Sequence, residues 1–140
     1  IFHPSFQMIG NSDLAQAAAG SFSGALVLWF ALVIGHAIAD FPLQGQFLAT
    51  GKNRHVKLPD PEGAPFPGNL WVYCLTAHAL IHSGTVWLIT GSLVFALTEL
   101  VLHWLIDFAK NERWTSFASD QALHVACKAL YAVLIASGLG

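Results

Sequence analysis

Residues 93–109 read LVFALTELVLHWLIDFA, and the fold turns on this stretch. It is apolar, and at about 1.5 Å of rise per residue it approaches the ~30 Å of a bilayer core. Yet it carries Glu99, His103 and Asp107 at successive steps of four. Such a step turns a helix by about 400°, a net drift of ~40°, so the three residues share one stripe. Most of the remaining surface is Leu, Val, Phe, Ile and Trp. A helix of this kind is expected to be apolar toward lipid and polar toward its partners.

Three further stretches repeat the design. The predicted spans are 22–41, 70–90, 93–109 and 118–139. His36 and Asp40 fall four apart in the first, with Gln44 one step beyond. His78 and His82 do so in the second. Asp120, His124 and Lys128 do so in the fourth, where Gln121 follows Asp120. The expected fold is therefore all-α, a membrane four-helix bundle over residues 21–140, preceded by a non-cytoplasmic segment over residues 1–20. Gly91-Ser92 predicts a tight turn and hence an antiparallel hairpin. Pro42 predicts a stop or kink at Phe41. The stretch 42–69, with Pro59, Pro61, Pro65 and Pro67, reads as a surface loop with an interfacial helix over 43–50. Ser12-Asp13 reads as a cap leading into the first span. A start or signal upstream of Ile1 is also expected.

Composition narrows the class. Of 140 residues 55% are hydrophobic and 10% are charged, against roughly 25% charged in ordinary soluble domains. Fourteen charges cannot coat a soluble globule of this size, so buried helices of a soluble bundle are the weaker alternative. The apolar content excludes disorder. Six Lys and Arg with a net charge of −2 disfavour a nucleic-acid partner. Two cysteines, Cys74 and Cys127, both in apolar runs, exclude a disulfide scaffold. They read as small core residues.

Basic residues set the expected orientation. Lys52, Arg54, Lys57, Lys110 and Arg113 fall in the loops after the first and third spans. The opposite side has no Lys or Arg. Loops 42–69 and 110–117 are thus expected in the cytoplasm, with both termini outside, in a bacterial inner membrane. His36, His78, His103 and His124 then lie at similar depth, roughly 9–12 Å in from the cytoplasmic side. Asp40, Asp107 and Asp120 lie nearer that surface. His82 and Glu99 lie deeper and are expected to pair across the hairpin. Trp71, Trp87 and Trp114 fall near span ends, as interfacial belts do. His3 and His55 read as solvated loop residues, and Lys128 as a snorkeller or an internal partner of Glu99 or Asp120. A faint repeat, His36-x-x-x-Asp40-Phe41 against His103-x-x-x-Asp107-Phe108, suggests two hairpins in parallel pseudo-symmetry.

The combined pattern H-x-x-x-D-F-x-L-Q, Lys52, H-x-x-x-H, H-x-x-x-D-x-x-K and D-Q-x-x-H resembles a family of small bacterial and phage membrane proteins known only as a domain of unknown function. Here it is carried by His36, Asp40, Phe41, Leu43, Gln44, Lys52, His78, His82, His103, Asp107, Lys110, Asp120, Gln121 and His124, over about Leu26 to Leu134. The resemblance implies a multi-pass membrane protein with a polar His/Asp centre. It supplies no reaction.

Imidazoles and carboxylates in this pattern suit a divalent metal such as zinc, manganese or iron. The candidate ligands are His36, Asp40, His78, His103, Asp107, Asp120 and His124, enough for two ions. Gln44, His82, Glu99 and Gln121 are candidate supports. Lys52 and Lys110 are candidates to hold an anionic group while the metal activates water against a lipid headgroup or phosphoester. Three alternatives stand beside this. Haem or another tetrapyrrole could take axial histidines. The groups could form a polar structural core in an accessory subunit of a larger membrane complex. They could also form a proton or ion pathway. The lipid bilayer and other membrane subunits are the expected partners.

Overall fold

The computed structural model describes residues 12–139. The described chain is all-α, with six helices and no strand. The expected segment over residues 1–20 lies largely outside the described residues, as does His3. In order the helices are α1 (Asp13–Ala18), α2 (Phe22–Asp40), α3 (Gly45–Gly51), α4 (Leu70–Thr90), α5 (Leu93–Asn111) and α6 (Phe117–Ala136).

Local chemistry sets the boundaries. Ser21, Ser92 and Ser116 are N-caps, their hydroxyls accepting from the N–H of Gly24, Phe95 and Ser119. α2 ends at Asp40, one residue before the Phe41 that Pro42 constrains. Gly91, at φ 73°, closes α4 in the left-handed conformation, and the chain reverses at once into α5. Two expectations need correcting. Ser12 does cap a helix, but α1 is a separate six-residue element, because Gly20 turns at φ 68° before α2 begins. α6 ends at Ala136 rather than at 139. There Gly138 takes φ 78°, its N–H bonds to the Ile135 carbonyl, and the Leu139 N–H bonds to that of Leu134.

α2 packs on α4 and α6, and α5 packs on the same two. The backbones of the diagonal pairs, α2 with α5 and α4 with α6, stay apart, and only their side chains meet across the axis. The four long helices thus form an up-down-up-down ring. The two helices with the repeated His-x-x-x-Asp motif stand at opposite corners, both aimed at the centre. At one end α1 lies over the ring, tied by Ser12 N–H to Thr90 O and Gly20 N–H to Ala136 O, each 2.9 Å. At the other end α3 packs on α4. A Cβ on Gly51 would come within 2.7 Å of Cys74 Sγ, so this glycine permits the close approach. Both basic loops lie at this end, joined by Arg54 and His55, which reach Glu112 at 2.7 and 3.1 Å. The hydrogen bond from Arg54 holds the Glu112 carboxyl below the usual carboxylate range, and the same bond raises Arg54.

Polarity is inverted relative to a water-soluble globule. The bundle axis buries His36, His78, His82, Glu99, His103, Asp107, Asp120, His124 and Lys128. Every exposed residue of α5 is Leu or Val, and every one of α6 between Ala122 and Val133 is Ala, Leu or Val. On length and composition, α2 and α4 can cross a membrane. α5 and α6, which bear most of the ionisable stripes, fall short by composition.

Candidate metal centre

Each long helix contributes through its four-residue stripe. α2 presents His36 and Asp40, α4 His78 and His82, α5 Glu99, His103 and Asp107, and α6 Asp120, His124 and Lys128. A helix stripe can reach the axis only at positions that recur on one face, which explains why four-residue spacing gathers these groups. All four layer histidines converge. His36 lies 5.0 Å from the His124 ring and 6.0 Å from that of His103, and His78 lies 5.0 Å from His103.

The tightest convergence surrounds Asp40. Its Oδ1 lies 3.3 Å from His78 Nε2 and 3.5 Å from His82 Nε2, and His78 Nε2 lies 3.2 Å from His103 Nε2. A tetrahedral ion with bonds of ~2.0–2.1 Å places its ligands about 3.4 Å apart. One oxygen and three nitrogens from Asp40, His78, His82 and His103 therefore have the spacing of a coordination shell, and all lie within 4.8 Å of one another. Hydrogen bonding does not satisfy them. His82 Nε2 is buried without a hydrogen-bond partner. His78 Nε2 faces Asp40, Asp107 and His103 together, and one ring N–H cannot serve all three.

A second group lies beside it. His124 Nε2 is 3.5 Å from Asp107 Oδ1 and 3.6 Å from Asp120 Oδ1. Both His124 Nε2 and Asp120 Oδ1 are buried without hydrogen bonds. A third combination, His36 with His103 and His124, spans the two.

Lysines neutralise the other carboxylates. Lys128 Nζ is 2.5 Å from Glu99, Lys52 Nζ is 2.5 Å from Asp107, and Lys110 Nζ is 3.6 Å from Asp120. Asp40 is the carboxylate of the centre with no Lys or Arg partner among the described residues. Its neighbours are His36, His78, His82 and Gln121.

Several expected roles change. His82 does not pair with Glu99; it faces Asp40 and stacks on His103 at 3.6 Å. It thus belongs to the candidate ligand set rather than to the supports. Glu99 instead accepts from Lys128 and Tyr131 (3.0 Å) and lies 3.1 Å from His103 Nδ1. Lys52, expected in the loop as a candidate to hold an anionic group, is placed differently. It is buried against Asp107, and Asn111 Nδ2 donates to its carbonyl at 3.0 Å. Lys110 remains partly open, 25% exposed, near both Asp107 and Asp120. Gln121 donates to Asp40 and Asp120 and meets His36, as a support would. Gln44 reaches only the Asp40 backbone carbonyl. His55 is exposed, as expected for the loop, and Lys128 is internal. Sequence reasoning missed Tyr131 and Asn111, whose polar groups stand out only once their buried partners are known. A cavity of about 390 Å³ in the loops, lined by Arg54, Lys57, Asp60 and Trp71 among others, includes none of the cluster residues.

An all-α bundle enclosing buried His/Asp groups that could hold a metal is the class this architecture defines. The chain belongs to the family described as "Protein of unknown function (DUF3307)", which matches residues 28–138. No curated protein and no solved structure matches the chain.

Proposed function

We propose that this chain is a four-span membrane protein that binds a divalent metal through Asp40, His78, His82 and His103. The observation that carries the metal is the Asp40 carboxylate, 11% exposed, with three imidazole nitrogens around it, one amide hydrogen bond from Gln121 and no Lys or Arg partner. Leaving such a carboxylate uncompensated is expensive. A divalent ion removes that penalty and fixes the imidazole tautomers. The nitrogen-rich set suits Zn²⁺ or Fe²⁺, with Mn²⁺ also accommodated. Four protein ligands fill a tetrahedral shell, so the hydrolase reading, in which the ion would activate water against a lipid ester or phosphoester near the headgroup layer, requires it to take water as a fifth ligand. Haem fits poorly. The imidazoles pack ring against ring, at 3.6 Å for His82 on His103 and 4.1 Å for His103 on His124, with no planar slot between them.

The surface supports four spans rather than two. Only 28% of the apolar stretch of α2 and 39% of that of α4 is buried, so neither is a core helix of this bundle. The charges that lower the averages of α5 and α6 point inward, leaving Leu, Val and Ala outside. With Lys52 withdrawn into the bundle, the loop end still carries Arg54, Lys57, Lys110 and Arg113 against none opposite. That end faces the cytoplasm in this reading. Labelling Lys57→Cys and Ser23→Cys from each side of a bacterial inner membrane checks it, and Lys57→Cys labelled only from outside refutes it.

Elemental analysis of detergent-purified protein tests the metal. Wild type should carry a divalent ion, Asp40→Asn and His82→Ala should lose it, and His55→Ala should keep it. Metal-free wild type whose thermal stability is indifferent to both chelator and added metal favours a second reading. The Lys52–Asp107 and Lys128–Glu99 pairs already neutralise two carboxylates without metal, as a purely structural core in an accessory subunit would.

A further inference from the structure

Asp107 faces two ways, and that geometry carries an inference resting on the metal site proposed above. Its Oδ2 lies 3.3 Å from His78 Nε2 and 3.9 Å from His103 Nε2, on the Asp40 side. Its Oδ1 lies 3.5 Å from His124 Nε2, on the Asp120 side. The ligand set on each side is complete without the other: Asp40, His78, His82 and His103 on one, Asp107, Asp120 and His124 on the other. His124 is 1% exposed, and its Nε2 sits unpartnered between two carboxylate oxygens. Its distances of 3.5 and 3.6 Å to those oxygens match the ligand spacing expected around an ion.

We propose that the centre is dinuclear, with Asp107 as the bridging carboxylate and a second divalent cation held by Asp107, Asp120 and His124. The two positions differ in chemistry. The first offers three nitrogens and one oxygen. The second offers two carboxylates and one nitrogen, the harder set, which favours Mn²⁺ or Mg²⁺ over softer ions. A carboxylate that bridges through its two oxygens holds two ions about 3.5–4 Å apart, the separation at which a pair can clamp a phosphoryl group. Lys52 remains on Asp107 Oδ2, which has a second lone pair for an ion. Lys110 stands over the second position at 3.6 Å from Asp120 Oδ2 and 3.9 Å from Asp107 Oδ1, beyond direct hydrogen-bond distance. Being partly exposed, its long side chain can swing out when a cation enters. Lys110 is thus a counter-charge to the second position and a competitor for a cation there.

Saturating the full-length protein in detergent with Mn²⁺ alone, removing excess ion, and measuring both metal content and electron paramagnetic resonance tests this. Wild type should hold two Mn²⁺ per chain with an exchange-coupled spectrum. His124→Ala and the nearly isosteric Asp120→Asn should each fall to one ion and lose the coupling. His82→Ala should also fall to one, and Asp107→Asn should lose the coupling. Lys110→Met should keep two ions and bind the second more tightly. One Mn²⁺ in wild type, lost in His82→Ala but retained in His124→Ala and Asp120→Asn, overturns the second site and leaves the first standing. No bound Mn²⁺ in wild type overturns both.

Discussion

The two halves of the bundle are held together by opposite means. At the α1 end the axis is filled by Ala15, Ala18, Leu28, Leu32, Val86, Phe95, Ala132 and Ile135, an apolar core with Tyr131 at its edge. At the loop end the same helices fill the axis with histidines and carboxylates. The backbone ring is continuous, so the difference lies in side chains. The core of the apolar half is held by burial and packing, which many residues of similar volume can satisfy. The polar half must satisfy donors and charges one by one. Its orphaned nitrogens on His82 and His124 mark where the protein's own groups do not suffice. Tyr131 and Glu99 form the seam between the two halves, joined at 3.0 Å.

Breaking the seam should give the largest effect. Lys128→Met leaves Glu99 buried without its ammonium partner, which costs about 3–5 kcal/mol. The double change Lys128→Met with Glu99→Leu should recover part of that, because no charge is then stranded, while Tyr131 and His103 still lose their acceptor. Thermal unfolding in detergent measures both. Equal destabilisation in the single and double variants would mean that the seam works by shape rather than by charge.

A cavity in the apolar half should come next and stay local. Leu28 is fully buried, and Leu28→Ala should cost ~2–5 kcal/mol, depending on how far the site collapses. Metal content should not change, since Leu28 belongs to the apolar cluster and not to the ligand groups. Loss of metal in Leu28→Ala would show that the halves are mechanically coupled.

The smallest effect belongs to the loop clip at Glu112. Arg54 holds its carboxyl below the ordinary range, so the folded form favours the charged state. The clip's contribution is therefore present above the unfolded carboxyl's pKa of ~4.3 and is lost as pH falls through the lower folded value. Limited proteolysis of the loop over 55–67 should rise at acid pH, and the rise should be larger in salt-free buffer, where the ion pair is least screened before it is lost. Glu112→Gln should show the acid behaviour at every pH, with the bundle's unfolding temperature shifted little. Proteolysis that is flat with pH in wild type would mean that packing, such as Arg54 over Phe108 at 5.5 Å, holds the loop instead.

Much of this organisation is legible in the residues alone. Helix existence and approximate extent follow from apolar length, from serine caps and from Gly91 and Pro42. Convergence of His36, His78, His103 and His124 follows from four-residue spacing at similar depth, because one face of a helix can point only one way. What spacing cannot rank is partners within the converged layer. A stripe states which face a side chain occupies, not which of a dozen neighbours its last atom meets. His82 was expected against Glu99 on depth; the ring of helices puts it against Asp40, from the adjacent α2. Lys52 reads as a loop charge because it follows an exposed segment, and only the docking of α3 through Gly51 carries it inward to Asp107. Local periodicity and composition are enough to specify the all-α fold, the inward stripes and the residue types of the centre. Only the assembled bundle leaves Asp40 without a lysine and turns Asp107 toward two groups at once. Those are properties of how four helices are ordered around an axis, and no single helix contains them.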